Sequence, residues 1–122
     1  QTSCPRSSTA RSNRAVTQRD INLLHDILDS ISAINTYVEK GPMQDPLIYD
    51  AVRMRIIEIG IAVKKLSKDL LSSEPQIPWS NISGMRDHLA HSYQDTNMHL
   101  VIDVIDKHLG PLKEAVIWLI EG

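Results

Sequence analysis

The chain has 122 residues, of which 42% are hydrophobic and 23% charged. This composition is typical of one soluble globular domain. The sequence contains no run of about 20 apolar residues, the length that a membrane span needs. The net charge of −2 combines four arginines and no acid in the first 19 residues with an acidic remainder, which argues against a broad nucleic-acid footprint and for a local site. One cysteine, Cys4, excludes a disulfide framework and a multi-cysteine zinc site and favours a cytoplasmic location.

The first segment of the chain is polar and basic. Residues 1–17, QTSCPRSSTARSNRAVT, offer almost nothing to bury, so they predict a disordered tail, and residues 18–122 form the helical domain. A solvated or artificial leader is favoured over a nucleic-acid-binding arm. A secretory signal is not expected, because the segment lacks an apolar core.

Two long helices are predicted next. Apolar residues three and four positions apart indicate a helix of about 20 residues from Arg19 to the Gly41-Pro42 pair. Asp45-Pro46 supplies an N-cap and a first-turn proline for a second helix that extends to Leu70. The first apolar stripe is Ile21, Leu24, Leu28, Ile31, Ile34 and Val38, and the second is Ile48, Val52, Ile56, Ile59, Val63, Leu66 and Leu70.

The remainder of the chain is also predicted to be helical. Residues 72–78 contain two prolines and form a connection, after which a third helix begins near Trp79 or Ser80. A polar break at residues 94–97 precedes a further helix, in which Gly110-Pro111 predicts a kink or two abutting helices. The third helix points Trp79, Ile82, Met85 and Leu89 inward, and the last carries Met98, Val101, Ile105, Leu109, Leu112, Val116 and Leu119.

The fold class follows from this periodicity. Sustained period-two alternation is missing from the sequence, so we expect an all-α, up-and-down bundle of four to five helices. Its helices are aliphatic enough to leave one apolar face for self-association.

The stretch RDHLAHSY, from Arg86 to Tyr93, concentrates polar and ionisable residues on the third helix. Asp87 and His91 are four apart and share one face, while Arg86 and Tyr93 are seven apart and share another. Arg86 and His91, five apart, are separated by about 140° around the helix. Either the helix is distorted near His91, or a second chain related by a two-fold axis completes the site.

These residue types suit RNA cleavage by the substrate's own 2′-hydroxyl group. Histidine transfers protons near neutral pH, and arginine donates two hydrogen bonds to a phosphate whose negative charge increases in the transition state. Asp87 is placed to hold the His91 ring in one tautomer, and this chemistry requires no metal.

Three other interpretations of the same residues remain open. From spacing alone, a solvated helix face with an (i, i+4) pair is favoured. His88 and His91, with Asp87 or His99, are a weaker candidate for a transition-metal site. Tyr93 alone is more typical of a half-buried core or interface residue, and both tryptophans are most simply core.

The motif and its flanks resemble a known family. Arg86, His91 and Tyr93 match the pattern of arginine, four residues, histidine, one residue, tyrosine of HepT-like toxins, members of the α-helical HEPN superfamily. Three blocks agree in order over about residues 18–120: RIIEIGIAVKKLS at 55–67, IPWSNISGMRDHLAHSY at 77–93 and VIDKHLGPLKEAV at 104–116.

The resemblance implies a helical homodimer with Arg86 and His91 of both subunits lining the dimer cleft. It implies a cytoplasmic, metal-independent endoribonuclease without a cofactor, in which Asp87 belongs to the catalytic pattern and His88 is auxiliary. It also implies an MntA-like nucleotidyltransferase antitoxin as partner, which neutralises the toxin by transferring AMP to Tyr93.

One departure from the family pattern stands in the second helix. This chain has Ile59-Gly60-Ile61-Ala62 where the resemblance predicts Ile-Gly-Glu-Ala, and Glu58, about 300° around the helix from Ile61, is no substitute. The departure and the acidic charge favour an alternative: a non-catalytic helical homodimer that binds the nucleotidyltransferase as its substrate or specificity subunit.

Overall fold

The computed structural model describes residues 17–91 and 94–121, with backbone only for residues 86, 88, 90, 91, 94–98 and 100. This part of the chain forms six helices and no strand, which confirms the all-α prediction. They are α1 (Gln18–Lys40), α2 (Pro46–Lys65), α3 (Lys68–Ser72), α4 (Trp79–His91), α5 (Gln94–Lys107) and α6 (Leu109–Glu121). Residues 1–16 of the predicted tail lie outside the described residues, and the division into tail and domain stays a prediction.

The two long helices begin at side-chain caps. The Thr17 hydroxyl accepts a hydrogen bond from the Asp20 backbone N–H at 3.0 Å at the start of α1. The Asp45 carboxylate accepts one from the Leu47 N–H at 2.9 Å, and Pro46 occupies the first turn of α2. Each cap satisfies a donor that lacks a partner within the helix. The predicted start of α2 is confirmed.

The predicted extension of α2 to Leu70 is wrong. α2 ends at Lys65, and Leu66 is extended, with φ −67° and ψ 148°. The next backbone N–H, that of Ser67, donates to the Asp20 carboxylate at 3.2 Å. Leu66 and Leu70 are nevertheless buried, so the apolar stripe continues across a break that the helical spacing does not reveal.

α4 packs against α2 and has the predicted apolar face. Trp79, Ile82 and Leu89 are buried, and Met85 is partly buried against the same core. The Trp79 indole N–H donates to the carbonyls of Leu71 and Glu74, both at 3.0 Å, so it ties the α3–α4 connection to the start of α4.

The last two helices correct one prediction and confirm another. α5 begins at Gln94, so the polar residues 94–97 form its first turn instead of a break. α5 and α6 abut at His108. The Pro111 ring would collide with the Lys107 carbonyl four positions earlier in a continuous helix, and Lys107 is where α5 ends.

The core lies among α1, α2, α4 and α6. α1 packs on α2 and α6, and α5 packs on α6 and more lightly on α2. Tyr49 is buried although it falls outside the predicted stripe, whereas Trp118, predicted to be core, is half-buried. None of the helices within the described ranges is long and apolar enough to cross a membrane.

Candidate active site

Residues 86–91 of the RDHLAHSY motif lie on the C-terminal half of α4, as predicted. Positions 86, 87, 88 and 91 belong to this one helix, which ends at His91. Asp87 is exposed. Tyr93 lies outside the described residues, as do the side chains of Arg86, His88 and His91.

The helical backbone fixes the relative positions of the motif residues. Because α4 contains both Arg86 and His91 without interruption, these positions remain about 140° apart. Position 91 falls on the face of Asp87, opposite the fully buried Leu89. The core contact of Leu89 therefore sets the rotation of α4 that turns the Asp87–His91 face away from the core.

Arg53 of α2 is hydrogen-bonded to the backbone of the last described turn of α4. Its Nε and Nη2 atoms donate to the Leu89 carbonyl at 3.1 and 2.8 Å. This carbonyl lies two residues before His91, the last described residue of α4. A guanidinium group at this end also carries the sign of charge that the helix dipole favours.

No sequence pattern predicted a role for Arg53. It stands outside the apolar stripe of α2, forms no helical charge pair with the motif, and meets Leu89 across 36 positions. The segment 90–97, AHSYQDTN, contains no glycine or proline to mark a helix end. Only the packing of α2 against α4 brings the two residues together.

Ile61, the departure from the family pattern, lies on a different side of α2. It lines a groove of about 350 Å³ between α1 and α2. Arg55, in the same groove, donates to Glu58 at 3.2 Å, and a hydrogen bond with Tyr37 is the main cause that raises the pKa of Arg55. The charged residues of the groove are Asp26, Asp29, Arg55, Glu58 and Lys65.

The charges of this groove give a physical reason for an uncharged residue at position 61. A glutamate at position 61 would add a fourth carboxylate to the three already there, and like charges so close are unfavourable. Within the described protomer the groove does not include any α4 residue. Position 61 therefore shares this groove with residues of α1 and with no described residue of α4.

An apolar stripe faces solvent along α2. Leu47 is 80% exposed and Met54 is 51% exposed, and Ile61, half-buried, follows at the same spacing of seven residues. Seven residues are close to two helical turns, so these side chains lie on one line along the helix. We call Leu47, Met54 and Ile61 the α2 stripe.

The metal interpretation gains no support from the described residues, among which no group of three or more His, Cys, Asp or Glu could hold an ion. The side chains of His88 and His91 are not among them, so the prediction of a metal-free site remains to be tested.

Comparison with known proteins points to one family. The family model "Ribonuclease HepT-like" matches residues 24–117, a range that includes the whole motif. The chain is 33% identical to a "Putative RNase" of Methanocaldococcus jannaschii over 83% of this chain and 86% of that protein. It is 27% identical to the "Probable ribonuclease HepT" of Thermococcus cleftensis over 74% of this chain and 86% of that protein.

A longer relative carries a second activity in its name. The "Gamma-glutamylcyclotransferase and putative RNase" of Methanocaldococcus jannaschii is 31% identical over 85% of this chain. The chain spans 49% of that protein and 66% of an RNase-named relative from Caldanaerobacter subterraneus. No solved structure matches the chain.

Proposed function

Because the chain belongs to the HepT-like ribonuclease family, we propose that it is an endoribonuclease toxin that cleaves RNA with Arg86 and His91. The observation that carries this proposal is the RDHLAHSY motif, which lies within the family match and whose residues 86–91 are on one helix. The relatives named as RNases support the same reaction class.

The proposed reaction is an internal transesterification. The 2′-oxygen of a ribose forms a bond to the adjacent phosphorus while the bond from phosphorus to the 5′-oxygen breaks. A base removes the 2′ proton and an acid protonates the leaving oxygen, which gives a 2′,3′-cyclic phosphate and a 5′-hydroxyl end without consuming water. Arg86 neutralises the charge that builds on the phosphate oxygens.

A dimer supplies both proton-transfer groups. One protomer offers one His91, whereas the reaction needs an acid and a base, so two copies of His91 around a two-fold axis would meet the requirement. Asp87, exposed and four positions before His91, orients the imidazole. The 140° separation of Arg86 and His91 within one helix also calls for a dimer. In the dimer, Arg86 of one protomer acts with the partner's His91.

The α2 stripe is the surface that we propose for this dimer. Met54 lies midway between Leu47 and Ile61 along α2. Two antiparallel copies of α2 that cross at Met54 therefore place Leu47 of one protomer opposite the partner's Ile61, a self-complementary contact. The two-fold axis that relates these copies is perpendicular to both α2 helices and lies in the plane that separates them. Rotation about this axis leaves the two α4 helices on the same side of the α2 pair. The isoleucine at position 61 lengthens the apolar contact.

The partner that we propose is an MntA-like nucleotidyltransferase, with Tyr93 as the residue that receives AMP. Tyr93 follows the end of α4 by two positions. A phosphate attached there would compete for the Arg86 guanidinium and repel the RNA backbone. Such inhibition needs no change of fold.

Cleavage of RNA by the purified chain in EDTA is the direct test. We expect products that end in 2′,3′-cyclic phosphate, loss of cleavage in His91→Ala and Arg86→Ala, and a decrease of about tenfold or more in Asp87→Asn. His25→Ala, which removes an exposed imidazole of α1, is the matched control and should cleave normally. If His91→Ala cleaved RNA as fast as the wild type, the assignment of His91 as the proton-transfer residue would be wrong.

The non-catalytic alternative has two observations in its favour, the acidic net charge of residues 20–122 and the isoleucine at position 61. It would be supported if expression without the partner left growth untouched while Tyr93 was still adenylylated in the partner's presence. Stoichiometric zinc in the purified protein would support the metal site of His88 and His91 instead.

A further inference from the structure

We propose that Arg53 is a positioning residue of the active site. Its two hydrogen bonds to the Leu89 carbonyl hold the backbone of α4 against α2 two residues before His91 and thereby fix where position 91 stands. The inference rests on the proposed ribonuclease function, in which His91 transfers protons, and it adds a residue that the RDHLAHSY motif does not contain.

The contact is well placed for this role. Leu89 is two positions before His91, and its side chain is fully buried. Its backbone carbonyl receives Arg53 Nη2 at 2.8 Å and Nε at 3.1 Å. Residue 89 is therefore held twice, by the core through its side chain and by α2 through its carbonyl. His91 follows within the same helical turn.

The hydrogen bonds act on the backbone of α4. A carbonyl oxygen has two lone pairs, so the Leu89 oxygen can accept from the guanidinium whether or not it also accepts within the helix. Without the guanidinium, the core contact of the Leu89 side chain remains, but the backbone link between α2 and α4 at residue 89 is lost. The last described turn of α4 then gains freedom to shift against α2.

A positioning role predicts a specific kinetic signature. The reacting groups must be held in near-attack geometry, and a displacement of about 1 Å can cost about 100-fold in rate. Arg53→Met keeps the length of the side chain but removes every donor. We expect its kcat to fall about 10- to 100-fold with KM changed less than about threefold, because the phosphate-binding Arg86 is retained. Arg53→Lys, which keeps the charge and can make one of the two hydrogen bonds, should recover part of the loss.

Arg55→Met is the matched control. Arg55 is on the same helix two positions away, where it bonds to Glu58 in the α1–α2 groove, which includes no described residue of α4. Its removal costs the same charge and should leave kcat within about twofold of the wild type. Equal losses in Arg53→Met and Arg55→Met would overturn the inference, since the effect would then be one of charge or general stability.

Amide hydrogen exchange tests the anchor independently of cleavage. We expect Arg53→Met to accelerate exchange at residues 88–91 while α1 is unchanged, and Arg55→Met to leave residues 88–91 as they are. Unaltered exchange there in Arg53→Met would overturn the inference even if cleavage fell. If the wild type cleaves no RNA, the proposed function fails, and the exchange data alone decide whether Arg53 holds the end of α4.

Discussion

The backbone N–H of Ser67 donates a hydrogen bond to the Asp20 carboxylate at 3.2 Å, across 47 positions of sequence. Asp20 is in the first turn of α1 and is only 2% exposed. Ser67 is one of the two extended residues, with Leu66, that separate α2 from α3. This bond therefore joins the start of α1 to the place where α2 ends, and it satisfies a backbone donor at a helix start.

Removing the Asp20 carboxylate should destabilise the fold. We expect Asp20→Ala to lower the free energy of unfolding by roughly 1–3 kcal/mol, because the Ser67 N–H loses a charged acceptor. Asp20→Asn, which keeps an acceptor oxygen, should lose less. Urea denaturation measures both.

The control for this prediction is Asp26→Ala, which removes an exposed carboxylate from the same helix and should change stability by no more than about 0.5 kcal/mol. If Asp20→Ala were as stable as this control, the hydrogen bond to Ser67 would carry no net stabilisation.

The break between α2 and α3 marks the limit of sequence-based prediction of this fold. Local signals such as the Asp45-Pro46 cap and the Pro111 clash predicted helix boundaries correctly. Leu66 and Leu70, however, keep the helical spacing and are buried although the helix has ended. The interaction at the break comes from Asp20, far away in sequence, and periodicity contains no information about such a partner.

The candidate site was predictable to a similar degree. The spacing of Arg86, Asp87 and His91 placed them on one helix with Leu89 facing the core, and the structure agrees. Arg53 could not be found, because its acceptor is a backbone carbonyl. Every residue except proline offers the same backbone groups, so a side chain that binds a carbonyl leaves no pattern in its partner's sequence.

A charge in the α2 stripe should disrupt the proposed dimer. In an antiparallel pair that crosses at Met54, the two copies of this residue meet at the two-fold axis, so Met54→Glu brings two carboxylates together in an apolar contact. We expect the dissociation constant to rise roughly 30-fold or more, the effect of losing an interface hot spot. Sedimentation equilibrium measures it, and RNA cleavage should decline with the dimer fraction.

Asn35→Glu adds the same charge at an exposed position of α1 and should leave the association unchanged. A Met54→Glu protein that stayed dimeric would show that the α2 stripe is not the interface. Dimer loss without loss of cleavage would instead show that one protomer contains a complete site.

The ion pair at the junction of α5 and α6 predicts a dependence of stability on pH. Lys107 lies 2.9 Å from Asp103, and His108 lies 3.9 Å from it. The hydrogen bond from Lys107 is the main cause that lowers the pKa of the Asp103 carboxyl. A group whose pKa is lowered by folding stabilises the fold above its unfolded pKa of about 3.9 and loses that contribution as the pH falls through the folded value.

Carboxyl NMR titration tests this assignment. We expect the Asp103 midpoint to lie below the ordinary aspartate value and to rise in Lys107→Met. Lys113→Met, which removes an exposed lysine from α6, is the control and should not move it. If the Asp103 midpoint were the same in Lys107→Met as in the wild type, the hydrogen bond from Lys107 would not be the cause of the lowered pKa.

Tyr93 offers the sharpest test of the proposed regulation. Co-expression with an MntA-like nucleotidyltransferase should add the mass of one or more adenylyl groups to the wild-type chain and none to Tyr93→Phe. Tyr37→Phe is the matched control, because it removes a half-buried phenol of α1 and should still be modified. If the phosphate competes for Arg86, the modified protein should bind RNA more weakly while its helical content is unchanged, whereas a modification that unfolded α4 would show as lost helicity. Modification at another residue would exclude Tyr93 as the switch and leave the Arg86–His91 chemistry to be judged by its own variants.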